Sequence, residues 1–271
     1  MYVHPNRTHA TKLGCTGPGA APPVNVREFV DIEKAQAYSV RVETLVDWST
    51  LVRVWEAYLN TEIGCCTCSS AANGKKIATA AAGEPDTVTN YNVLCMYEHS
   101  GYEPGKPETD RGWTLEAAEE YMQTIGLQGT EANPDPDIIT AATIDPDDED
   151  ALQVSCELFG GAHVAAEMPE NAEMQYREGK AWTYKSGAGS APGSWGGHAL
   201  WVVRSVLKGF FELETWGMLQ PVGPAWRKAY IVDKRALIWK DWEKKMPAEV
   251  VELGVVDFSK LESLLPQVSK A

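Results

Sequence analysis

A thiol early in the chain and an imidazole much later are the residues that could do chemistry here. Cys66 lies in the segment Gly64-Cys65-Cys66-Thr67-Cys68-Ser69-Ser70, and His198 follows two glycines in Gly196-Gly197-His198. Between them they supply a nucleophile and a base, two groups that meet in space rather than in sequence. A thiol becomes nucleophilic when a nearby imidazole takes its proton and a helix N-terminus stabilises the thiolate. Gly64 allows a tight turn before Cys66, and a helix rich in small residues begins at or just after it. His198 precedes an apolar run, so its ring is expected at a strand end facing a cleft. The acyl intermediate needs hydrogen-bond donors for its oxyanion, which a backbone N–H at the helix start and the side-chain amide of Asn60 could supply.

The elements that must hold these groups are readable in outline. From Cys66 to about Ala82 the chain is rich in Ser and Ala, as a helix needs when packed on all sides. Trp48, Leu51, Trp55 and Leu59 recur at helical spacing. Thr114 caps a helix with acids in its first turn, and the acid run 145–150 reads as a solvated helix start, since EF-hand ligand spacing is absent. Short strands are expected at 200–203, 210–213 and 229–232, and a short amphipathic helix at 258–265. Helices first and strands later predict an α+β protein with two lobes. Residues 1–45, with Gly17-Pro18-Gly19-Ala20-Ala21-Pro22-Pro23, read as an extended N-terminal arm. Residues 46–245 form the main domain and 246–271 a C-terminal tail.

Composition narrows the function. The 271 residues carry a formal net charge of -14, which argues against nucleic acid and anionic membrane as partners. No apolar stretch reaches the length of a membrane span, and the N-terminus has no signal-peptide core, so the expectation is a soluble protein with mostly reduced cysteines. Cys95 and Cys156 read as packing residues. Cys65, Cys66 and Cys68 lack a second pair of ligands at finger-like spacing, so no metal and no cofactor is expected. His99 and His163 belong to no motif. The ten tryptophans fit a core, a groove or a partner surface.

The pattern resembles a papain-like cysteine peptidase across about residues 47–240. That family has an amide residue six positions before its nucleophile and a glycine two before it, as Asn60 and Gly64 stand to Cys66. Its base is followed by small and apolar strand residues, as in His198-Ala199-Leu200. Sixteen residues past the base it places an orienting Asn in Asn-Ser-Trp-Gly; here Glu214-Thr215-Trp216-Gly217 occupies that place. The resemblance implies Cys66, His198 and Glu214 as catalytic residues, Asn60 as oxyanion donor, and Gly64, Trp216 and Gly217 in support, with Trp216 shielding the imidazole. Asp110-Arg111-Gly112-Trp113 falls where the family has its substrate-binding strand. Residues 60–67 with the Ala-rich helix are similar to papain-like proteins encoded by phages.

Three positions depart from the family pattern: Asn60 is shorter than Gln, Glu214 replaces Asn, and Thr67 replaces an aromatic residue. Cys68 is the alternative nucleophile, but it would put Glu62 at the oxyanion position, so Cys66 is preferred. The implied function is hydrolysis of peptide or isopeptide bonds in a protein or peptide substrate. A second reading keeps the fold without the chemistry: a virion (capsid or tail) assembly protein whose arm contacts other virion subunits or a second copy. The location would be the cytoplasm of the producing cell or the virion.

Overall fold

Small side chains after Cys66 allow one helix to run through the middle of the protein, and the rest of the fold is arranged around it. The computed structural model describes residues 12–22, 24–41, 47–84, 87–206, 209–240, 242, 246 and 248–265. In chain order the elements are β1 (Cys15–Gly17), α1 (Ile32–Arg41), α2 (Cys66–Ala81), α3 (Asn90–Glu98), β2 (Trp113–Thr114), α4 (Leu115–Thr124), β3 (Ile138–Ile144), α5 (Glu149–Phe159) and β4 (Ala162–Met168). There follow α6 (Glu170–Arg177), β5 (Gly196–Ser205), β6 (Phe211–Thr215), β7 (Met218–Val222), α7 (Pro224–Tyr230), β8 (Ile231–Trp239), α8 (Ala248–Glu252) and α9 (Phe258–Leu264).

Six strands form one antiparallel sheet in the order β3-β8-β4-β5-β6-β7, with β5 in its interior. Helices α2 to α4 make the other lobe, and α2 packs directly against β5. The fit is close: a Cβ on Gly74 would lie 2.6 Å from the Trp201 ring. Larger residues along α2 would push the lobes apart. The expected caps hold, with Thr114 accepting from the Ala117 N–H and Asp148 from the Ala151 N–H. Trp182, Trp201, Trp226, Trp239 and Trp242 are fully buried, so these five are core residues rather than partner contacts.

Several expectations need correction. The extended arm ends near Pro22. Asn25 caps a short 3-10 turn, α1 follows, and Val24, Val26, Phe29, Val30, Ile32 and Ala35 are buried in the main core. Their apolar side chains outweigh the Pro/Gly content just before them. The tail is also core: Val256 pairs with Val30, and Val250, Val255 and Leu261 are buried. The helix-like spacing at 48–59 gives only a 3-10 turn, Trp48–Leu51: Trp48 is buried, while Leu51 is left exposed, so the spacing does not build one apolar helix face. Trp48 donates to the Glu157 carbonyl at 2.7 Å. Residues 1–11, 23 and 42–45 of the expected arm, and 247 and 266–271 of the tail, lie outside the described residues.

Candidate active site

Cys66 is the first residue of α2, and Gly64 sets the turn that puts it there. The Gly64 N–H donates to Asp110 Oδ1 at 2.8 Å, and a Cβ at Gly64 would stand 2.9 Å from that oxygen. Tyr97 donates its hydroxyl to the same carboxylate atom at 2.7 Å. The helix start is thus tied to the loop before β2. The Cys66 sulfur accepts the Ala199 N–H at 3.4 Å, which joins α2 to β5 one residue past His198.

The His198 ring is held on two sides. Nε2 lies 2.8 Å from Thr215 Oγ1, and the ring stacks on Trp216 with centroids 4.4 Å apart and planes 16° from parallel. Nδ1 is buried and, among the described residues, has no hydrogen-bond partner. Trp216 and Gly217 form the two-residue turn between β6 and β7, and both have positive φ, 49° and 75°. This is the twist a tight hairpin favours, but it is an uncommon conformation for tryptophan. Stacking on His198 and an Nε1–H bond to the Lys12 carbonyl at 3.2 Å hold it in place. Gly217 has no room for a side chain, since its Cβ would meet the Ala57 nitrogen at 2.8 Å.

Glu214 does not reach the imidazole. Its Oε1 accepts the Gly217 N–H at 3.0 Å, and its carboxyl hydrogen-bonds to Asn73 on α2. Neighbouring residues of a strand point to opposite faces, so the side chain that meets the ring belongs to Thr215. Counting sixteen residues from His198 selects the wrong face of β6. Burial pushes the Glu214 carboxyl up to about 8, against the pull of Gly217, Asn73 and Lys76. Asn60 likewise has other partners: Nδ2 donates to the carbonyls of Ile63 at 3.2 Å and Lys12 at 3.4 Å.

That Lys12 carbonyl belongs to a peptide lying in the cleft, the chain's own N-terminal segment. Gly14 donates to the Gly197 carbonyl at 3.2 Å and accepts from the Trp113 N–H at 2.8 Å, so it bridges the two lobes. β1 then pairs in parallel with β2. Further along, Pro18 accepts from the Glu116 N–H at 3.0 Å, and Arg235 Nη2 donates to Pro18 at 2.7 Å and Ala20 at 2.9 Å. The passage is fitted to bare backbone. A Cβ on Gly14 would collide with the Gly64 carbonyl, one on Gly112 with the Gly14 carbonyl, and one on Gly197 with the Cys15 carbonyl.

This lid removes both catalytic candidates from water. Cys66 and His198 are each about 1% exposed. Burial pushes the Cys66 thiol well above its ordinary value, with Cys15 adding to the rise and the Ala199 N–H opposing it. Burial alone pushes His198 down to about 3. With the segment in place, the thiol and the imidazole are both neutral.

A second string of polar groups lies behind Cys66. Ser70 Oγ donates to the Cys66 carbonyl at 2.7 Å and meets His163 Nε2 at 2.8 Å. His163 Nδ1 meets Glu119 Oε1 at 3.1 Å, and Glu119 Oε2 accepts from Arg235 at 2.8 Å. All four are buried and the serine hydroxyl is engaged by the helix, so the string braces α2 rather than offering a second nucleophile. His163 has no sequence motif, and only a strand assignment for 162–168 would have pointed to it.

No family model matches the sequence, and no curated protein matches it. Among solved structures, one match is xylellain, a cysteine protease from Xylella fastidiosa. It has 13% sequence identity and a TM-score of 0.59, over 88% of this chain and 99% of that one. The fold is papain-like. Cys66 at the head of the central helix, and His198 on the facing sheet, occupy the junction between the two lobes of this fold. Among the described residues no cluster could hold a metal ion, and no helix is long and apolar enough to cross a membrane.

Proposed function

We propose that the protein is a cysteine hydrolase of peptide or isopeptide bonds, held latent by residues 12–20 in its own cleft. The observation that carries this reading is the seating of a peptide by backbone hydrogen bonds directly over Cys66, with His198, Thr215 and Trp216 arranged beside it. A cleft that binds extended backbone on both sides is suited to a peptide substrate.

Once the segment leaves, water enters and the penalty on charge falls. His198 Nδ1 takes the Cys66 proton, and Sγ attacks the substrate carbonyl carbon. The Cys66 N–H and the Asn60 amide, freed from the Lys12 carbonyl, stabilise the oxyanion. His198 returns the proton to the leaving amine, and water then cleaves the thioester by the same route in reverse roles. Thr215 fixes the ring, Trp216 covers it, and Glu214 and Gly217 hold the turn that carries both.

A virion assembly role rests on the three departures from the family pattern, the acidic surface and an N-terminal arm available for contacts. Residues 12–22 spend their hydrogen bonds on their own cleft, which favours the enzyme. The test is hydrolysis of a mixed peptide library by the reduced chain carrying Gly14→Ala, beside the same chain with Cys66→Ala added. Cleavage abolished by Cys66→Ala is expected. Equal cleavage by both, or none by a folded Gly14→Ala chain, would refute the reading.

A further inference from the structure

The segment in the cleft brings a second sulfur to Cys66. Cys15 opens β1, and its side chain shares a small apolar cluster with Cys66, Leu115, Ala165 and Ala199. Cys65 and Cys68 belong instead to the main core, where Cys65 Sγ faces Ser69 Oγ at 3.3 Å and Cys68 Sγ faces Thr67 Oγ1 at 3.9 Å. All six cysteines are free thiols. Of the other five, Cys15 is the one grouped with Cys66.

The backbones fix this approach from both sides. Gly14 is wedged against Gly64, two residues before Cys66. The Cys15 backbone is seated on Gly197, whose Cβ, if present, would be 3.9 Å from the Cys15 Cα. Two residues on, the Ala199 N–H reaches the Cys66 sulfur. Cys15 is thus held against Gly197 and Cys66 against Ala199, two residues apart on β5, and their side chains share one apolar cluster. Cys15 is 8% exposed, against 1% for Cys66, so a solvent oxidant meets Cys15 first.

We propose that Cys15 and Cys66 form a disulfide in the presence of a low-molecular-weight disulfide, fastening the segment into the cleft and capping the nucleophile. The Cys15 thiol loses its proton to water, and its sulfur attacks one sulfur of glutathione disulfide, releasing one glutathione thiolate. The Cys66 thiol then gives its proton to water, and its sulfur attacks the Cys15 sulfur of the mixed disulfide, releasing the second glutathione as a thiolate; the two glutathione thiolates take up the two protons. Two cysteines lose two electrons in all, and one glutathione disulfide becomes two glutathione molecules. A small thiol reverses both steps, so the segment is releasable only from the reduced protein. The regulatory meaning rests on Cys66 being the nucleophile of the proposed hydrolase; the bond itself does not.

The test uses the full chain, treated with glutathione disulfide at pH 8, blocked with N-ethylmaleimide and digested with trypsin without reduction. The expected product is peptide 13–27 joined to peptide 54–75, bridged at Cys66 by fragment masses and separated by dithiothreitol. The bridge should vanish in Cys15→Ser and persist when Cys65 and Cys68 are both serine. Glutathione adducts without a joined peptide, or a bridge at Cys65 or Cys68, would overturn the proposal. A bridge in a protein that hydrolyses nothing after reduction and opening would remove the catalytic reading and leave the latch. Hydrolysis without a bridge would do the opposite.

Discussion

The hydroxyl of Thr215 stands 2.8 Å from Nε2 of His198, while Trp216, the next residue, lies flat against the ring. One hairpin turn thus fixes both the hydrogen bond and the stacking plane of the imidazole, and among the described residues Nδ1 is buried without a hydrogen-bond partner. A neutral hydrogen bond contributes about 1 kcal/mol net, and 1.4 kcal/mol is a factor of ten in rate. Thr215→Val in the opened enzyme should therefore lower kcat about fivefold with little change in KM, and Thr215→Ser should restore most of it. An unchanged kcat in Thr215→Val would remove the ring-holding role.

Gly14 is the tightest point of the lid. Adding one methyl group drives it into the Gly64 carbonyl, which is backbone and cannot rotate away. Overpacking of this kind costs roughly 1–3 kcal/mol, enough to open the segment about tenfold more often. Trypsin cleavage after Lys12, whose carbonyl is held by Asn60 and Trp216, should speed up by about that factor in Gly14→Ala. Equal cleavage rates would mean that the segment is not fastened there.

Arg235 joins the lid to the brace behind Cys66. It is buried, paired with Glu119 and forked onto the carbonyls of Pro18 and Ala20. Arg235→Met takes the cationic partner from the buried Glu119 carboxylate and leaves it, among the described residues, with His163 alone; breaking a buried pair typically costs about 3–5 kcal/mol. Urea unfolding should show a loss of that order. A loss below about 1 kcal/mol would show that Glu119 is satisfied without it.

Glu214 makes a stability signature that varies with pH. Its folded pKa, about 8, lies above the ordinary 4.5, so the folded state keeps a proton that the unfolded state has already lost. Its contribution is fully present below pH 4.5 and is lost as pH rises toward 8. Glu214→Gln should melt progressively higher than the wild type across that window, with the largest gap near pH 8. His198, held down to about 3, acts in the other direction, since stability falls as pH drops from 6.5; the Glu214 comparison leaves that contribution common to both proteins. A constant difference between pH 4.5 and 8 would contradict the protonated, buried carboxyl.

Much of the site was legible because local chemistry dictates it. The Ser/Ala run after Cys66 allows only a tightly packed helix, and the Thr114 and Asp148 caps mark helix starts by their own hydrogen bonds. β3 and β4 were not legible. Alanines at 141, 142, 162, 165 and 166 have weak strand preference, and their strands are set by burial on both faces. The error between Glu214 and Thr215 has a similar source. Spacing along the chain locates the hairpin, but only pairing registers decide which of two adjacent side chains faces the ring, and β5 carries a bulge between Val202 and Arg204. The lid was half legible: Pro and Gly exclude a helix at 17–23, yet nothing local says that 12–20 would lie across the cleft or that 24–41 would enter the core.

The alkylation rate of Cys66 by iodoacetamide between pH 4 and 9, mapped cysteine by cysteine in the reduced full chain and in Gly14→Ala, is the most direct test. Burial of a neutral thiol predicts slow labelling throughout for the full chain. The opened protein should label Cys66 rapidly at mildly acidic pH, where an ordinary thiol of pKa about 8.5 is protonated. If Cys66 in a folded Gly14→Ala chain titrates like an ordinary thiol, it has no working partner in His198, and the protein is not a cysteine hydrolase.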